Sequence, residues 1–101
     1  MSIETQIEAT KDRIADLRNI LADSTSALHA NAMQLDIMKA KRDSLDVTRG
    51  GFNTDAKLAV AISKLRVTRH EIRESMTVTA QAIKKASREL EMLITWELRR
   101  G

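Results

Sequence analysis

The sequence predicts an all-α fold: a long antiparallel helical hairpin of coiled-coil type that assembles into a homo-oligomeric helical bundle. Three observations carry this expectation. Apolar residues recur at spacings of three, four and seven along two stretches of similar length, the pattern that keeps one helix seam facing another. A Gly50-Gly51 pair separates the stretches, and the chain has no proline. Its only aromatic residues are Phe52 and Trp96, so Leu, Ile, Met and Ala must supply the core, as they do in bundles.

The first stripe reads Ile3, Ile7, Ile14, Leu17, Leu21, Leu28, Leu35, Met38 and Leu45. It predicts a first helix over about 3–48, starting near Ser2 or Thr5. Thr5 and Glu8 fit a capping box, and Glu4, Glu8, Asp12 and Asp16 suit the positive end of the helix dipole. Lys39, Lys41, Arg42 and Arg49 crowd its C-terminal turns, with a turn expected at 49–54. Gly51 is the expected left-handed C′ residue, with Phe52 at C″ touching Val47 at C3.

The second stripe reads Leu58, Ile62, Leu65, Ile72, Met76, Ile83, Leu90 and Leu93. Asn53 or Thr54 is the expected N-cap of a second helix over about 55–99. Helices of about 45 residues would each run about 65 Å at 1.5 Å per residue. Two segments could interrupt them. Asp23-Ser24-Thr25-Ser26 could re-cap the first helix, and the β-branched Thr77-Val78-Thr79 weakens the second. The whole chain, 1–101, reads as one domain.

Heptad lettering exposes polar seam positions. Asn31 falls at d, and Arg42 and Arg69 fall at a. Such residues reduce stability and often fix register. The register itself stays open, because the loop centre could lie anywhere from Gly50 to Asn53.

More apolar surface is present than one seam needs. Met33, Val47, Val60 and Val67 occupy outward f positions and Ile37 a c position, all in the half nearest the glycines. With Trp96, these are the candidate interface residues, and a homodimer forming a four-helix bundle is the favoured assembly. Trp96 is expected to close the open end with Met92 and Ile3. The alternative makes it an exposed interface anchor.

Charge is uneven along the chain. Lys and Arg number 17 against 14 Asp and Glu, a net charge of +3, and residues 39–73 alone hold nine basic and four acidic residues. Lys39, Arg42, Arg66, Arg69, His70 and Arg73 form the candidate partner- or anion-binding cluster, with Arg42 expected within a turn or two of Arg66. Guanidinium groups match carboxylate and phosphate oxygens. The bland reading is a solvated helix face with ordinary ion pairs.

Enzyme chemistry finds no support in the sequence. There is no cysteine, and neither His29 nor His70 has a second ligand at metal spacing. Gly50-Gly51 follows a helix rather than a strand, so it is not a phosphate loop. No catalytic residue, cofactor or metal is expected. No apolar run approaches a transmembrane helix and the N-terminus does not read as a secretory signal, so a cytoplasmic, soluble protein is the expectation.

The function implied is a non-enzymatic protein–protein interaction module of adaptor, chaperone or inhibitor type. It would self-associate through its stripes and bind an acidic partner with its basic tip half, the other half chiefly holding the helices together. The alternative is a nucleic-acid or phosphate-bearing ligand bound at Arg42, Arg66, Arg69 and Arg73. The chain lacks the aromatic interleaving of single-strand binders.

Overall fold

The structure, a computed structural model, describes residues 2–45 and 50–100. They form an all-α helical hairpin of two helices, α1 (Ile3–Asp43) and α2 (Phe52–Arg100). Neither expected weak point interrupts a helix: Asp23–Ser26 lies inside α1 and Thr77–Thr79 inside α2. Part of the reason is local. Thr79 Oγ1 donates to the carbonyl of Ser75 at 2.9 Å, one turn back on its own helix. The hydroxyl is satisfied without opening the backbone.

Ser2 is the N-cap of α1. Its Oγ accepts from the Thr5 backbone N–H at 3.1 Å, and its carbonyl accepts from the Gln6 N–H at 3.1 Å. The Thr5 hydroxyl pairs with that of Ser2 at 2.8 Å. Thr5 is therefore the third residue of the helix, and the Thr5–Glu8 box is not the start. The earlier residue wins because its hydroxyl reaches a free first-turn amide.

The end of α1 also differs from expectation. It stops at Asp43, five residues short of 48. The Leu45 N–H bonds to the Arg42 carbonyl at 3.2 Å and the Ser44 Oγ to that of Lys41 at 2.9 Å. A tightened last turn and a hydroxyl thus occupy C-terminal carbonyls. The left-handed glycine is Gly50, at φ 90°, not Gly51. Phe52 opens α2 rather than capping α1, and the Asp55 N–H already bonds to the Gly51 carbonyl at 2.8 Å. Asn53 and Thr54 lie inside the helix. Val47 falls outside the described residues, so its expected contact with Phe52 does too.

The heptad lettering predicts burial well. Every a and d position of α1 is buried or half-buried except Arg42, and every a and d position of α2 from Asp55 to Glu97 is likewise covered. The described residues fall into two units, one from 1–24 and 75–101, the other from 25–74. Ile14, Thr79 and Ala86 are buried in the first. Asn31, Leu35 and Ile62 are buried in the second, with Leu35 only 2% exposed. Burying a side chain such as Leu35 contributes about 1.5–3 kcal/mol. Among the described residues, no helix is long and apolar enough to cross a membrane.

Candidate functional site

Three side-chain contacts organise the basic cluster of the unit formed by 25–74. Asn31 Nδ2 donates across the seam to the Leu65 carbonyl at 2.9 Å. Nearer the turn, Arg42 clamps Asp55 with both arms of its fork, Nε donating to Oδ1 at 2.8 Å and Nη2 to Oδ2 at 3.4 Å. Asp55 raises the Arg42 pKa above its ordinary value, by the hydrogen bond first and charge attraction second. His70 Nε2 meets Glu74 Oε1 at 2.9 Å, one turn along α2.

These contacts divide the expected cluster. The Asn31–Leu65 bond sets the level of Arg66, and Arg42 lies eleven residues further along α1. At 1.5 Å per residue that is about 16 Å, or three turns. Arg42 is therefore not within a turn or two of Arg66, and its charge is met by Asp55. The register explains this: Arg42 lies level with the first turn of α2, where Asp55 sits. Lys39, Arg66, His70 and Arg73 are exposed and Arg69 is half-buried at its a position. Lys39, Arg66 and Arg69 make no ion pair among the described residues.

The expected interface residues Met33, Ile37, Val60 and Val67 are all exposed. Val60 and Val67 border a shallow groove on α2 with Ser63, Lys64 and Thr68. Lys57 and Lys64 each stand one turn before a valine, and neither makes an ion pair among the described residues. The sequence places nine basic and six acidic residues in this unit, a net of +3.

The unit formed by 1–24 and 75–101 departs most from expectation. Trp96 is 65% exposed and Met92 72% exposed, so they do not close the open end within the single chain, although Trp96 and Ile3 border one shallow groove with Arg99 and Arg100. Trp96 stands at g and Met92 at c, beside the seam rather than in it, and the described residues of this unit leave both uncovered. Ile20, Val78, Ile94 and Leu98 are exposed as well. Surplus apolar surface is therefore not confined to the turn half.

The final segment, Met92-Leu-Ile-Thr-Trp-Glu-Leu98, is apolar nearly all round the helix, and a helix of that kind normally requires cover on more than one side. That all-round pattern is the sequence signal for Met92 and Leu98. Trp96, Met92 and Leu93 line a groove of about 870 Å³ with Ala9 and Thr10 of α1. Glu89 borders one end and Arg99 the other. This unit holds eight basic and eight acidic residues and is neutral overall.

Among the described residues, no three His, Cys, Asp or Glu side chains gather as a metal site. No protein-family model, curated protein or solved structure matches this chain.

Proposed function

We propose that the protein is a non-enzymatic protein–protein interaction module: a helical hairpin that self-associates and offers the basic unit around its turn to an acidic, amphipathic helix. The observation that supports this reading is the strip along α2 where exposed Val60 and Val67 alternate with Lys57 and Lys64. Two apolar anchors one heptad apart suit the apolar face of a partner helix. The lysines suit carboxylates along its edge. The spread of the basic residues disfavours the alternative, a phosphate-bearing ligand held at Arg42, Arg66, Arg69 and Arg73, because Arg42 is engaged with Asp55 about three turns away from Arg66.

A photocrosslinking residue at Ser63 tests the reading, with capture from extracts of the native cell compared with and without nuclease. A protein adduct that survives nuclease and is lost on Val60→Asp or Val67→Asp is expected. Capture that disappears with nuclease, and that weakens steeply with salt by counterion release, would transfer the function to nucleic-acid binding.

A further inference from the structure

We infer that the Trp96 groove takes a second copy of this chain, the C-terminal part of α2 packing antiparallel against its own counterpart across a two-fold axis at the level of Ile94. This deepens the self-association part of the function proposed above and rests on it.

The argument begins with spacing. Glu89, Met92, Trp96 and Arg99 follow one another at three, four and three residues, so they share one face of α2. The four positions are symmetric about residue 94: Met92 and Trp96 stand two residues to either side, and Glu89 and Arg99 five. In an antiparallel two-fold pair, a residue on one side of the axis meets the residue equally far on the other side. Trp96 then lies on the partner's Met92 and Met92 on the partner's Trp96, which makes two sulfur–aromatic contacts. Glu89 faces the partner's Arg99, and Arg99 the partner's Glu89. Every member of the row meets a chemically suitable partner.

The surroundings agree with this occupant. Glu89 and Arg99 make no ion pair among the described residues, so their charges are available to a partner. The unit is neutral overall, so two copies approach without net repulsion. Gln6, Ala9 and Thr10 are the α1 residues along the groove wall, and the small Ala9 and Thr10 leave room to admit an indole from above. An aromatic side chain buries about 150–250 Å², and two Trp96 rings with two Met92 side chains form the apolar centre that a dimer interface needs.

Charge exchange tests the pairing without relying on a variant that fails to fold. In Glu89→Arg, an arginine at position 89 faces the partner's Arg99. In Arg99→Glu, a glutamate at position 99 faces the partner's Glu89. Both single variants are expected to raise the dimer dissociation constant on the order of tenfold, as like charges replace two ion pairs. The double variant restores opposite charges and recovers the dimer. An equimolar mixture of the two single variants also recovers it, as a heterodimer.

Sedimentation equilibrium reads the association, and circular dichroism confirms that helix content is retained. Trp96 is the only tryptophan, so its emission gives a second reading, moving to the red as the protein is diluted. A wild-type chain that stays monomeric at micromolar and higher concentration overturns the inference and self-association together, leaving partner capture at Val60 and Val67 untouched. A dimer indifferent to both single variants and to Trp96→Ala overturns the groove assignment alone and places self-association elsewhere.

Discussion

Asn31 reaches across the hairpin to Leu65. Its side-chain amide donates to the Leu65 backbone carbonyl at 2.9 Å from a position 6% exposed, while its own Oδ1 is buried with no partner among the described residues. The seam thus contains one satisfied and one unsatisfied half of the same amide. Burying a carbonyl oxygen without a hydrogen bond costs about 1–3 kcal/mol, whereas the bond to Leu65 contributes about 0.5–1.5 kcal/mol. The balance points to a residue kept for register rather than for stability.

Asn31→Leu is therefore expected to raise stability by about 1–2 kcal/mol, because it removes the unsatisfied oxygen and adds apolar burial. For a chain of this size that is a rise of several degrees in Tm. Thermal unfolding followed by circular dichroism measures it. A fall in Tm would mean that the cross-seam bond outweighs the unsatisfied oxygen. The register role has a separate readout, since a cysteine pair introduced at levels one heptad out of step should cross-link in the leucine variant more readily than in the parent.

The Arg42–Asp55 pair, at 2.8 Å, joins the last turn of α1 to the first turn of α2. Asp55 raises the Arg42 pKa above its ordinary value. The contribution of that shift is thus fully present below the unfolded-state pKa of arginine, far above neutrality, and is lost only as pH rises from there through the raised folded-state value. Raising pH from neutrality to about 10 is accordingly expected to leave it intact, and salt is the effective lever. A double-mutant cycle with Arg42→Ala and Asp55→Ala should show favourable coupling that shrinks on going from low salt to about 1 M. Coupling unchanged by salt would assign the pair's effect to packing.

The seam is legible in the sequence because a helix imposes its period on every residue. Once Ile14, Leu35 and Ile62 are placed at a, the burial of Leu28, Leu65 and Leu93 follows from spacing alone. Asn31 is legible as a costly position for the same reason, although its partner is not. The turn is harder to read. The apolar pattern runs on to Leu45, but α1 ends at Asp43 because the Ser44 hydroxyl and the Leu45 amide compete for the last carbonyls. That competition between nearly equal local hydrogen bonds leaves no periodic signature. Arg42 finds Asp55 thirteen residues on, a pairing between two helix ends that no periodic spacing encodes. Trp96 shows the other limit. A g residue borders the seam, and spacing does not say whether a bulky side chain there folds inward or stands out beside Met92.

Gly50 has φ 90°, and a Cβ added there would meet nothing within 4 Å. Space is therefore not the constraint and backbone conformation is. Gly50→Ala is expected to destabilise the hairpin by about 1 kcal/mol, the cost of holding an L-residue in left-handed conformation. Gly50→Asn should cost less, since asparagine tolerates that region. Chemical denaturation of the three proteins gives the order glycine, asparagine, alanine in falling midpoint. Equal midpoints would show that the turn relaxes freely to another conformation.

Leu35 and Leu98 are the same residue type in opposite surroundings, the first 2% exposed and the second 77%. Truncation of Leu35 removes buried methyl groups and leaves a cavity, so Leu35→Ala is expected to cost about 2–5 kcal/mol. That is a large share of the roughly 5–15 kcal/mol that holds a small protein folded, and partial unfolding on warming should be visible by circular dichroism. Leu98→Ala removes side-chain area that faces water, and its effect on the folded monomer should stay within about 0.5 kcal/mol. The contrast also separates fold from association. Measured at low concentration, Leu98→Ala should match the parent, and any loss that grows with protein concentration would show that a second chain covers Leu98. If Leu98→Ala unfolds the dilute protein as severely as Leu35→Ala does, the exposed end of α2 is part of the core and the two leucines are not in opposite surroundings.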